Sequence, residues 1–198
     1  MNEPSPINVV SFCIPERDEA LEDQAIQNAK ILSEVFPDWK GYFYIKHDVD
    51  ESVIKTIAEQ PNCSAFVLDK DVAVDGAYWQ YIPLTESNEV SAFVSRDCRE
   101  LVTKEDYATV CEWLESPQQF FCIRESEDPE VSPIRPFKWG ARIHGPVNTM
   151  WLFHYLSQSE FLKSHPEYPK EAMLISFYNG FNFLFSDVII GPDEEAES

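Results

Sequence analysis

Short apolar runs, each too brief for a helix, alternate along the first half of the chain with stretches of helical spacing. Residues 7–14 (Ile7, Val9, Val10, Phe12, Ile14) are rich in β-branched side chains and read as the first, central strand, stopped by Pro15. From 20 to 36, Ala25, Ala29, Leu32, Val35 and Phe36 recur at intervals of three and four, which predicts a helix with one buried face. Residues 42–45 read as a second strand and 52–59 as a second helix with Asp50 or Ser52 as N-cap. Residues 64–68 read as a third strand. Strand, helix, strand, helix, strand is the pattern of a parallel sheet with crossover helices.

The pattern then loosens. Residues 69–76 are polar and 77–84 aromatic, which suggests a short helix beside the sheet leading into a fourth strand. That strand, Ser91-Ala92-Phe93-Val94-Ser95, runs into Arg96 and Asp97. It delivers a carboxylate to the carboxyl edge, where open α/β sheets take their ligands. The other reading of Arg96 and Asp97 is a surface pair at a strand end. Thr103 and Asp106 have capping spacing ahead of a helix over 107–115, with Val110, Trp113 and Leu114 apolar. Residues 120–124 form a fifth strand ending in Arg124, and 125–136 a polar, proline-bearing loop. After 137–142 re-enters the fold, 147–157 reads as an aromatic-rich helix and 161–163 with Tyr168-Pro169 as a short helix and turn. Apolar segments 172–178 and 181–190 are expected to close the sheet, so that the domain spans 1–190 and the acidic tail 191–198 is disordered.

Composition narrows the functional classes. A length of 198 residues suits one domain with a substantial core. A net charge of −20 repels nucleic acid and anionic membranes, so an anionic ligand needs a local basic pocket or a metal ion. Cys13, Cys63, Cys98, Cys111 and Cys122 have no metal-site spacing and read as reduced thiols of an intracellular, cytoplasmic protein. The first six residues lack the basic and apolar regions of a signal peptide, and no stretch reaches the roughly 20 apolar residues of a transmembrane helix. No Walker loop, dinucleotide fingerprint, zinc-protease motif or nucleophile elbow occurs.

A series of landmarks carries a family resemblance. Asn28-Ala29, Phe36-Pro37-Asp38-Trp39, Trp79-Gln80-Tyr81, Arg96-Asp97, Glu112-Trp113 through Ser116, Ile123-Arg124-Glu125 and Lys138-Trp139-Gly140 follow one another along nearly the whole chain. In order and spacing they resemble a bacterial and viral family of small GT-A type glycosyltransferase domains. The resemblance implies a Rossmann-like single domain with a mixed, mainly parallel sheet flanked by helices. It also implies a nucleotide-diphosphate sugar donor, a glycan acceptor, and Mn²⁺ or Mg²⁺ held by an Asp-x-Asp motif, as suits a hard cation bridging carboxylate and phosphate. On this reading Asp97 is the first Asp, serving catalysis and the metal. Ser11, Arg17, Trp79, Arg96 and Arg99 line the nucleotide-sugar, Arg124, Trp139 and Gly140 the acceptor, and Glu125 is placed to deprotonate an acceptor hydroxyl.

The departures from the pattern are specific. Arg99 replaces the second Asp of the motif, and a guanidinium there disfavours a metal ion. Gln80 stands where the family has Arg, and Glu125-Ser126-Glu127 where it has Asp-His-Pro. Three readings follow: a metal-independent, hexosyltransferase-like enzyme of glycan or polysaccharide assembly in which Arg99, with Arg17 or Arg124, takes over charge neutralisation of the diphosphate; a catalytically inactive pseudo-glycosyltransferase acting as a binding or scaffold protein, with or without a partner chain; or a structural salt bridge of Arg99 with Asp97 or Glu100 and the site elsewhere. Each candidate also has a plain structural reading: acidic loop residues for solvation, His144 and His154 as packed histidines, Trp139 as core.

Overall fold

The computed structural model describes residues 6–69, 76–86, 88–124, 138–157 and 170–189. The expectations for 161–163, Tyr168-Pro169, the tail 191–198 and the loop 125–136, Glu125 included, lie outside these residues.

Among the described residues, seven strands form one sheet: β1 (Ile7–Ile14), β2 (Trp39–Lys46), β3 (Cys63–Leu68), β4 (Val90–Ser95), β5 (Phe120–Arg124), β6 (Trp139–Arg142) and β7 (Phe185–Ile189), in the order β3-β2-β1-β4-β6-β5-β7. β1 pairs in parallel with β2 and β4, β2 with β3, and β5 with β7, while β6 runs antiparallel between β4 and β5. On one face lie α1 (Glu19–Val35), α2 (Glu51–Ala58) and α3 (Lys104–Glu115). On the other lie a 3₁₀ segment (Gly76–Thr85), α4 (Thr149–Leu156) and α5 (Lys170–Phe181). The fold is thus a mixed, mainly parallel sheet between helical layers.

Layering explains why β1 reads as a near-continuous apolar run. Val10, Phe12 and Ile14 pack on α1 to α3, and Val9 and Cys13 on the opposite face, so the strand is buried on both sides. The predicted stripe of α1, Ala25, Ala29, Leu32 and Val35, is buried in the first of these cores. Asp50 is the N-cap of α2, and Thr103 with Asp106 forms a reciprocal capping box on α3. The aromatic segment at 77–84 is a 3₁₀ helix that buries Tyr78, Trp79, Tyr81 and Leu84.

One expectation needs correction. Residues 172–178 do not add to the sheet but belong to α5, where buried Leu174 and Phe177 sit three apart and Phe181 four further on. That is helical spacing, and density of apolar residues alone had concealed it. The sheet is closed by β7 instead. No helix among the described residues is long and apolar enough to cross a membrane.

Behind the 3₁₀ segment, partial burial and then Glu89 raise the pKa of Glu86. The ionised form is therefore disfavoured in the fold, a penalty present at neutral pH and absent once the carboxyl is protonated in both folded and unfolded states. Glu86→Gln is expected to raise the melting temperature at about pH 7 and leave it unchanged near pH 3, well below the ordinary carboxylate range. Equal shifts at both pH values in thermal melts would contradict this.

Candidate functional site

The carboxyl ends of β1, β2 and β4 meet at one edge, and antiparallel β6 contributes its first residue there, with Trp139 opposite Ser95. The segments leaving this edge carry Glu16 and Arg17 after β1, Lys46 and Asp48 at the end of β2, Arg96 to Glu100 after β4, and Lys138 before β6.

Adjacent charged residues after β4 have opposite fates. Arg96 turns inward, where its Nη2 donates to Asp106 Oδ2 at 2.7 Å with both side chains nearly buried. The same carboxylate oxygen accepts the Thr103 N–H at 2.8 Å, and the Asp106 N–H donates to Thr103 Oγ1 at 3.1 Å. Arg96 is thereby bound to the start of α3. Asp97 turns toward the edge, its Oδ1 accepting the Arg99 N–H at 2.9 Å. The Arg99 guanidinium lies 3.7 Å from Asp97 Oδ1 and 3.8 Å from Glu16 Oε1. Lys138 Nζ stands 3.1 Å from Glu100 Oε2.

The loop is fastened from below by Asn28 of α1. Its amide NH₂ donates to the carbonyls of Cys98 (3.0 Å) and Glu100 (3.1 Å), and its Oδ1 accepts the Val102 N–H at 3.0 Å. In the sequence Asn28 stands only as a landmark of the family resemblance. A polar residue on the stripe formed by Ala25, Ala29 and Leu32 did point to a buried hydrogen-bonding task. Asn28→Ala removes three hydrogen bonds and leaves buried backbone groups unpaired, an expected loss of about 3 kcal/mol in urea denaturation. A loss under about 0.5 kcal/mol would contradict the assignment.

On the β1 side, Arg17 is exposed with Nη2 3.9 Å from Asp50 Oδ2. Hydrogen bonds from the Ser52 hydroxyl and N–H, then Arg17, hold the Asp50 carboxyl below its usual range.

The edge therefore brings together Arg17, Asp97 and Arg99 of the sequence-predicted set. The backbone of Arg124, the last residue of β5, stands at the same edge. Four others lie beneath it. Ser11 is fully buried on β1, its Oγ without a hydrogen-bond partner. Trp79 is buried in the 3₁₀ segment, and Trp139 is fully buried against Tyr81, Phe93 and Phe177. Gly140 fills a place where a Cβ would come within 2.5 Å of Phe121 and of the Phe93 carbonyl, so its smallness serves sheet packing. An expected acceptor-stacking face on Trp139 is thus enclosed in the core, and Arg96 is engaged by Asp106 rather than presented to a donor.

A divalent cation fits this arrangement poorly. Among the described residues no three His, Cys, Asp or Glu side chains gather to hold a metal ion. Asp97 Oδ1 already accepts a backbone N–H and faces a guanidinium. At the opposite edge, a cavity of about 500 Å³ is lined by Ile143, His144, Pro146, Val147 and Met150 among others.

No family model and no curated protein matches the chain. Solved structures do match it. Glucosyl-3-phosphoglycerate synthase of Mycobacterium tuberculosis superposes with a TM-score of 0.56 at 14% identity, covering 98% of this chain and 74% of that one. Residues 1–349 of Staphylococcus aureus TarS, in complex with UDP-GlcNAc, give 0.56 at 11% identity over 96% of this chain and 59% of that one. The fold is GT-A-like. A third neighbour, 4-diphosphocytidyl-2C-methyl-D-erythritol synthase of Anaerococcus prevotii, gives 0.54 at 13% identity over 96% and 88% of the two chains. At such identities the likeness is one of fold, and chemistry has to be argued from the site.

Proposed function

We propose that this chain binds a nucleotide-diphosphate sugar at the carboxyl edge of its sheet and transfers the sugar to a glycan acceptor, as a transferase of glycan or polysaccharide assembly. The observation that carries the reading is the presence of two exposed, loosely held guanidinium groups, Arg17 and Arg99, at the ligand edge of a chain whose net charge is −20. In so acidic a protein, a spot of this kind suits an anionic ligand. The neighbour that holds UDP-GlcNAc on the same fold supports the donor class. Asp97 is then the carboxylate beside the reacting sugar. Glu125, which follows the last residue of β5, accepts the acceptor's hydroxyl proton, with Arg124 on the acceptor side.

A second reading, a non-catalytic binding protein on the same fold, is favoured by one observation: the Asp97 carboxylate is engaged by Arg99 and has no second carboxylate in the motif. Hydrolysis of a panel of sugar nucleotides separates the two, because a transferase lacking its acceptor passes the sugar slowly to water. The transferase reading expects turnover of at least one donor, lost in a folded Asp97→Ala variant. Binding with no turnover, alone or with glycan acceptors, would favour the second reading.

A further inference from the structure

We infer that Arg99 is the resident cation of this edge: its guanidinium takes the place of a divalent metal against the donor's diphosphate, which therefore binds without metal, and Glu16 competes with the diphosphate for it. The inference rests on the nucleotide-sugar reading and adds how the charge is met and what opposes it.

Two arginines three residues apart provide the contrast. Arg96 is 5% exposed and hydrogen-bonded to a carboxylate at 2.7 Å, with no freedom to meet a ligand. Arg99 is 56% exposed, and its ion pairs with Glu16 and Asp97 are 3.8 and 3.7 Å long, well beyond the roughly 2.8 Å of a charge-assisted hydrogen bond. Its backbone is nonetheless fixed, by its own N–H to Asp97 Oδ1 and by Asn28 holding the carbonyls on either side, of Cys98 and Glu100. The result is a well-placed stem with an uncommitted head. Glu16, itself 63% exposed, holds that head through solvent-screened contact of little net strength. A diphosphate carries several anionic oxygens, two of which the planar guanidinium fork can engage at once, so it displaces Glu16. A divalent ion placed on Asp97 instead would sit within a few ångströms of the same positive charge, a repulsive arrangement.

The test is calorimetric titration of the full chain with uridine, guanosine and thymidine diphosphates, and with inorganic pyrophosphate as a base-free probe. Each is run with chelator and with Mn²⁺ or Mg²⁺. The expected result is binding in chelator that added metal does not strengthen, since the metal competes for the same oxygens, and that falls with added salt. Arg99→Gln is expected to weaken it at least roughly tenfold, and Arg99→Lys to recover only part, because an ammonium lacks the planar fork. Glu16→Gln is expected to tighten it about threefold, the sign that sets competition apart from a structural role. Circular dichroism shows whether each variant is folded, and both side chains are exposed. Affinity that appears only with metal, indifference to Arg99→Gln, or weakening by Glu16→Gln would overturn the inference. Metal-dependent binding would leave the transferase reading standing, whereas metal-free binding without sugar turnover would do the reverse. No binding by any probe overturns both.

Discussion

Asp106→Asn is expected to destabilise the protein by about 3–5 kcal/mol, because it leaves the Arg96 guanidinium buried without a counter-charge. The two side chains are only 5% and 11% exposed and meet at 2.7 Å. An amide of the same shape still accepts the Thr103 N–H, so the capping of α3 survives and the effect isolates the charge. Replacing both partners, as Arg96→Met with Asp106→Asn, should recover part of the loss, since an apolar side chain carries no desolvation penalty. Urea denaturation of the single and double variants checks both statements. A single-variant loss under about 1 kcal/mol would mean that water reaches the pair. The pair matters to function through its neighbour: with Arg96 drawn inward, Asp97 is the residue turned to the edge.

Trp139→Ala is expected to cost a similar amount, about 3–5 kcal/mol, as a fully buried aromatic is removed from β6. Its ring centroid lies 5.3 Å from those of Tyr81 and Phe93 in edge-on geometry and 6.4 Å from that of Phe177, so it joins the 3₁₀ segment, β4 and α5. Trp139→Phe should keep most of that stability. Were Trp139 an acceptor platform instead, truncation would spare the melting temperature and raise the acceptor's KM. Thermal melts of the two variants therefore decide between core and platform before any acceptor is known.

These cases mark what the sequence makes legible. β1 and α1 were readable because their periods are local: a continuous apolar run, and Ala25, Ala29, Leu32 at helical steps. Asp97 was readable as an edge carboxylate because it follows a strand. Four-residue β6 was not, since its antiparallel place between β4 and β5 depends on partners far along the chain. The inward turn of Arg96 and the outward turn of Arg99 depend on Asp106 and Glu16, contacts that adjacency in sequence does not reveal. Tryptophans at motif positions invited a binding role, but Trp79 and Trp139 are both buried in the core. The role of Asn28 was legible in principle, as a lone amide on an apolar stripe.

The proposed ligand edge is the one carrying Arg17, Asp97 and Arg99. Amide chemical shifts of the labelled protein, followed while a nucleoside diphosphate is titrated in, test it most directly. The prediction is that shifts concentrate at residues 16–18 and 97–100. Shifts confined to residues 143–150, around the cavity at the opposite edge, would contradict it.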